Sequence, residues 1–68
     1  DRLGQYPQAL EFYQQALAIL KAIGDRSGEG TTLNNIGALL NSQKQPELAI
    51  VFFKRSVSTY EAIREELR

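Results

Sequence analysis

The chain has 68 residues, below the usual size of a domain, and at this length folding buries only about 60% of the surface exposed in the unfolded chain. Eight basic and eight acidic residues cancel and are interspersed, which leaves no electrostatic footprint for nucleic acid or an anionic membrane. With no cysteine and no histidine, disulfides and the usual zinc and haem ligand sets are excluded, so no cofactor and no metal are expected.

The longest apolar run, residues 48–53, is far short of the roughly 20 residues of a transmembrane helix, so no membrane contact is expected. No signal peptide is visible at Asp1. The chain reads as starting inside a structural unit, so the compartment stays open, with the cytoplasm as the expectation.

Residues 1–5 are polar and contain Gly4, so they read as a tail leading into a turn. Pro7 suits a first helical turn, where its missing N–H costs nothing and its φ is already helical. Ala9, Tyr13, Ala16, Leu17, Leu20 and Ile23 then recur on one helical face. Phe12 and Ile19 lie on a second flank, the pattern of a helix packed between neighbours. Gly24 marks the end of this helix, since glycine takes the left-handed conformation at little steric cost.

Asp25 or its rival Ser27 can cap the next helix. Gly28 and Gly30 each weaken its first turn by about 1 kcal/mol relative to alanine. Leu33, Ile36, Leu39 and Leu40 form an apolar stripe with Gly37 beside it, and a glycine there points to close approach of another helix. Thr31, Asn34, Asn35, Ala38, Asn41 and Ser42 fall on the opposite side, which is polar and uncharged.

Residues 41–45 read as a connection between antiparallel neighbours, and Pro46 opens a third helix. Its apolar face is Ala49, Ile50, Phe53, Val57, Tyr60 and Ile63, with Phe52 on a second flank. Glu61 with Arg64, and Glu65 with Arg68, are surface pairs worth about 0.2–0.5 kcal/mol each. Nothing stops this helix before the last residue or two.

Shifting the chain by 40 residues brings Gln5 onto Gln45, Ala9 onto Ala49, Phe12 onto Phe52, Ala22 onto Ala62 and Ile23 onto Ile63. Leu10 falls on Ile50, Tyr13 on Phe53, Ala16 on Ser56 and Leu17 on Val57. Such a period is the mark of a stacked repeat.

On these residues the chain resembles the tetratricopeptide repeat family. Ile36-Gly37 matches the leucine-glycine pair of that family's first helix, and Asn35 the asparagine often found before it. Ala49 and Phe53 match the second-helix signature, with Ser56 in place of its last alanine. In the earlier copy Gly4, Tyr6, Ala9, Tyr13, Ala16 and Leu17 match. The departures are Leu33 and Leu40 where aromatics are preferred, Lys44 in place of the inter-helix glycine, and no closing proline. The 40-residue spacing, against a usual 34, is similar to the long-repeat subgroup of kinesin light chains, cell-polarity adaptors and many bacterial arrays.

The resemblance implies an all-α fold, an antiparallel three-helix segment of a right-handed superhelix. Residues 1–24 would then be the second helix of a partial repeat, and residues 25–68 one complete helix-turn-helix repeat. It implies packing by Ala9, Tyr13, Ala16, Leu33, Ile36, Gly37, Leu40, Ala49, Phe53 and Ser56, with Gly37 and Ala49 bringing two helices close and Phe53 filling the space beside them.

It also implies a non-enzymatic scaffold module that binds a protein or peptide on the concave face of its first helices. Thr31, Asn34, Asn35, Ala38, Asn41 and Ser42 would line that groove, because amides both donate and accept and so hold a peptide backbone without demanding a charge. The stripe carries no lysine or arginine, which argues against a clamp for a C-terminal carboxylate. The bland alternative is a solvated helix face. No paired-acid pocket supports catalysis. The glycine-rich residues 24–30 lack the lysine-serine/threonine ending and preceding strand of a phosphate loop, and Lys54-Arg55 beside Phe52 and Phe53 is a weak nucleic-acid cue in a neutral chain. Stacked repeats need about three units and polar caps. An uncapped piece is therefore expected to self-associate or exchange a helix through its apolar ends, the structural alternative to partner binding.

Overall fold

The computed structural model describes residues 5–67 as three helices: α1 (Gln5–Ile23), α2 (Arg26–Ser42) and α3 (Pro46–Glu66). The described residues contain no strand. Gly4 and Arg68 lie outside the described residues, and with them the turn expected at Gly4 and the pair expected between Glu65 and Arg68.

Both connections are short, the second shorter than the sequence suggests, and the reason is how the helices end. Only Gly24 and Asp25 separate α1 from α2, and residues 43–45 separate α2 from α3. At the end of α1, Gly24 adopts φ +77°, its N–H donates to the Lys21 carbonyl, and the Asp25 N–H donates to the Leu20 carbonyl. The end of α2 repeats this pattern. Lys44 adopts φ +62°, its N–H donates to the Asn41 carbonyl, and the Gln45 N–H donates to the Leu40 carbonyl. Both are Schellman endings, which satisfy orphan carbonyls and reverse the chain within about two residues. The connection expected at residues 41–45 is therefore corrected: α2 continues through Ser42, whose hydroxyl donates to the Leu39 carbonyl.

The residues following each reversal start the next helix. Asp25 caps α2, its carboxylate accepting from the Gly28 N–H at 2.9 Å, so Asp25 rather than Ser27 is the cap. Gln45 holds the corresponding position before α3 and makes no side-chain cap, while Pro46 supplies the preset φ.

α2 is the shared partner: it packs along α1 and, more extensively, along α3. The molecule measures 44 × 23 × 12 Å. A 12 Å thickness is about one helix diameter, so the helices form a thin slab that encloses few residues. The apolar core is Leu33, Ile36, Leu40 and Ala49, and Tyr6, Leu10, Tyr13, Leu17, Phe52 and Phe53 pack partly buried against it. α1 contributes no fully buried residue.

Two assignments of apolar face are corrected by this arrangement. Ile23, placed with the inward face of α1, is exposed at the Schellman turn. Ile50 and Val57, placed with the inward face of α3, are about half exposed, because α3 meets α2 through Ala49, Phe52, Phe53, Ser56 and Tyr60. The surface pair expected between Glu61 and Arg64 is not made. Arg26 at the start of α2 reaches Glu66 at the end of α3 instead, at 3.7 Å.

Candidate functional site

The candidate site is the face of α2 turned away from its packing stripe. Leu33, Ile36, Gly37 and Leu40 are buried, and helical spacing carries Thr31, Asn34, Asn35, Ala38, Asn41 and Ser42 to the other side, where all six are exposed. At 1.5 Å of rise per residue the stripe runs about 16 Å, the length of roughly five residues of extended peptide.

The six are not equivalent. The Thr31 hydroxyl is engaged with the Tyr60 hydroxyl at 2.8 Å, and the Ser42 hydroxyl with its own helix. The side-chain amides of Asn34, Asn35 and Asn41 make no hydrogen bond to the described residues, and Ala38 leaves a flat step between them. The uncommitted polar groups of the stripe are thus the three asparagine amides, which offer donors and acceptors together. None of the four carries a charge.

The residues expected to pack lie behind this face to different depths. Ala9, Tyr13 and Ala16 are half-buried on α1, Leu33, Ile36, Gly37 and Leu40 are buried on α2, and on α3 Ala49 and Ser56 are buried while Phe53 is half-buried. The space over Gly37 is taken by the Phe53 ring: a Cβ at Gly37 would lie 2.6 Å from it. The contact that requires a glycine at this position is therefore with the aromatic ring.

Several residues were legible only in part. Gly30 reads from the sequence as a weakness in the first turn, yet a Cβ there would lie 2.8 Å from the Tyr60 ring, and its carbonyl accepts from the buried Ser56 hydroxyl at 2.7 Å. Thr32 is buried although its polar side chain sets it apart from the apolar stripe; its position four residues before Ile36 is the signal that places it there. The Arg55 guanidinium lies over the Phe52 ring, 5.2 Å from its centre, and so covers apolar surface.

Among the described residues no group of acidic side chains could hold a metal ion, and no helix is long and apolar enough to cross a membrane. No curated protein and no solved structure matches the chain. A family model described as tetratricopeptide repeat matches residues 2–62, nearly the whole chain. Repeats of this family are generally protein-interaction modules and typically not enzymes. With its helical hairpins and this match, the chain belongs to the tetratricopeptide repeat family.

Proposed function

We propose that the chain is a non-enzymatic scaffold module that holds an extended peptide or a partner helix on the exposed face of α2, with Asn34, Asn35 and Asn41 as the contacting amides. Residues 25–68 would form its complete repeat and residues 1–24 the second helix of a partial one, of the long-repeat kind. The observation that carries the reading is that three amides lie uncommitted on one exposed face in a member of a family of protein-interaction modules. Without charge on the stripe, the contact would be made to peptide backbone and polar side chains. Selection from a displayed random-peptide library tests it: peptides enriched on the wild type are expected to lose binding to the N34A/N35A variant. Enrichment unchanged by that variant would reject the asparagine face.

A second reading is supported by other residues. Phe12 and Ile19 on α1 and Ile50 and Val57 on α3 are half exposed or more, and apolar surface of this kind favours self-association. Light scattering across micromolar concentrations tests it, and a monomer throughout would reject it.

A further inference from the structure

Tyr60 belongs to α3 but ends at the exposed face of α2. Its ring lies over Gly30, where a Cβ would come within 2.8 Å of the ring Cζ. Its hydroxyl shares a hydrogen bond of 2.8 Å with the hydroxyl of Thr31. Thr31 is the first residue of the exposed stripe, so this bond brings an aromatic side chain of α3 to the end of the stripe. Tyr60 is nevertheless 42% exposed.

Contact between the helices does not itself require a phenol here. Forty residues earlier the same position is Leu20, which also packs on α2, over Gly28. The Ser56 hydroxyl already ties α3 to the first turn of α2 by donating to the Gly30 carbonyl at 2.7 Å. The other ring set on a glycine, Phe53 over Gly37, is half-buried and packs against the core. Tyr60 differs from it in being fixed at both ring and tip while staying exposed. A tyrosine held in this way loses little conformational freedom when a partner lands on it.

We propose that Tyr60 is a specificity-determining contact of the α2 face, a shelf on which an aromatic side chain of an extended peptide lies. The proposal rests on the peptide-binding reading above. The asparagine amides hold backbone without regard to sequence, and the ring selects a side chain. None of the six stripe residues is a carboxylate that could hold a cation beside the ring. Thr31 precedes Asn34 by about 4.5 Å of helical rise and Asn41 by about 15 Å. At about 3.3 Å per residue of extended peptide, the aromatic residue stands one or two positions from the residue at Asn34 and four or five from the residue at Asn41.

The probe is a displayed random-peptide library selected on the full chain, followed by anisotropy titration of one enriched peptide. Enriched peptides are expected to share an aromatic residue at a fixed position. Y60L is expected to weaken the selected peptide roughly 3- to 10-fold, and T31V, which releases the tip of the ring from an exposed position, about twofold. A peptide with the aromatic residue replaced by alanine is expected to bind wild type, Y60L and T31V alike, a coupling that a purely structural role of Tyr60 does not produce. T31V gives the same comparison if Y60L does not fold. Enriched peptides without a shared aromatic, arginine or lysine enriched in its place, or an equal loss of both peptides on Y60L would overturn the proposal. When N34A/N35A still abolishes binding, such a result removes the shelf alone, whereas enriched peptides indifferent to N34A/N35A remove the reading beneath it.

Discussion

At the scale of single residues, two positions take opposite positions on the same steric rule. Gly24 and Lys44 both end a helix with positive φ and the same pair of backbone hydrogen bonds, but only Gly24 lacks a Cβ to clash with the carbonyl that follows. For an L-residue the left-handed conformation costs about 1–2 kcal/mol, while glycine gives back about 0.5–1 kcal/mol through greater freedom when unfolded. Lys44→Gly is therefore expected to stabilise the chain by about 0.5–1 kcal/mol, read in a urea melt against Lys44→Ala, which keeps the Cβ and should change little. The departure at Lys44 is visible in the sequence as a missing glycine; its energetic meaning appears only with the φ angle.

Gly37 is the converse case. A Cβ there would meet the half-buried Phe53 ring, which packs against the core. Gly37→Leu is expected to cost about 1–3 kcal/mol by overpacking. A thermal melt should show the loss, and the smaller side chain in Phe53→Leu should recover part of it; a G37L melt that matched the wild type would remove the contact from the explanation. Ser56 has a gentler role. Its hydroxyl adds a bond to a Gly30 carbonyl that lies within a helix, so Ser56→Ala should cost about 0.5–1.5 kcal/mol.

At the scale of the helices, the chain uses one residue to finish an element and start the next. Asp25 supplies the last N–H of the α1 ending and the carboxylate cap of α2, whereas Gln45 supplies only the last N–H of the α2 ending and no side-chain cap to α3. Asp25→Ala should cost about 1 kcal/mol, and Gln45→Asp should gain about 0.5–1 kcal/mol by giving α3 the cap that α2 has. Denaturant midpoints of the two variants moving in the same direction would contradict this. The Arg26–Glu66 pair ties the start of α2 to the end of α3, but both side chains are roughly half exposed, so Glu66→Gln is expected to change stability by less than about 1 kcal/mol.

The existence and order of the helices were legible because apolar residues at helical spacing, Pro7, Pro46 and Gly24 are local signals. The helix boundaries were less so. Residues 41–45 read as loop because Asn41 and Ser42 are turn formers and Pro46 follows, yet Ser42 bonds to its own helix and the turn tightens to three residues. Cross-helix pairings such as Gly30 with Tyr60 and Arg26 with Glu66 depend on how α2 and α3 meet, which no local spacing encodes.

At the scale of the whole molecule, the thinness of the slab decides what the surface can do. A layer about one helix thick leaves the outer sides of α1 and α3 uncovered, which is why Phe12, Ile19, Ile50 and Val57 remain outside. Their apolar character is plain in the sequence. The asparagine face follows directly from helical spacing, while the engagement of Thr31 and Ser42 by Tyr60 and Leu39 narrows it to Asn34, Asn35 and Asn41.

The central claim is that these amides, and not the apolar ends, recognise a partner. It is tested most directly by an anisotropy titration of one library-selected peptide against the wild type, N34A/N35A/N41A and I50E/V57E. Losing two or three hydrogen bonds at about 0.5–1.5 kcal/mol each should weaken Kd roughly 10- to 100-fold in the asparagine variant. I50E/V57E should bind like the wild type. Equal affinity of the asparagine variant, or a loss confined to I50E/V57E, would contradict the claim.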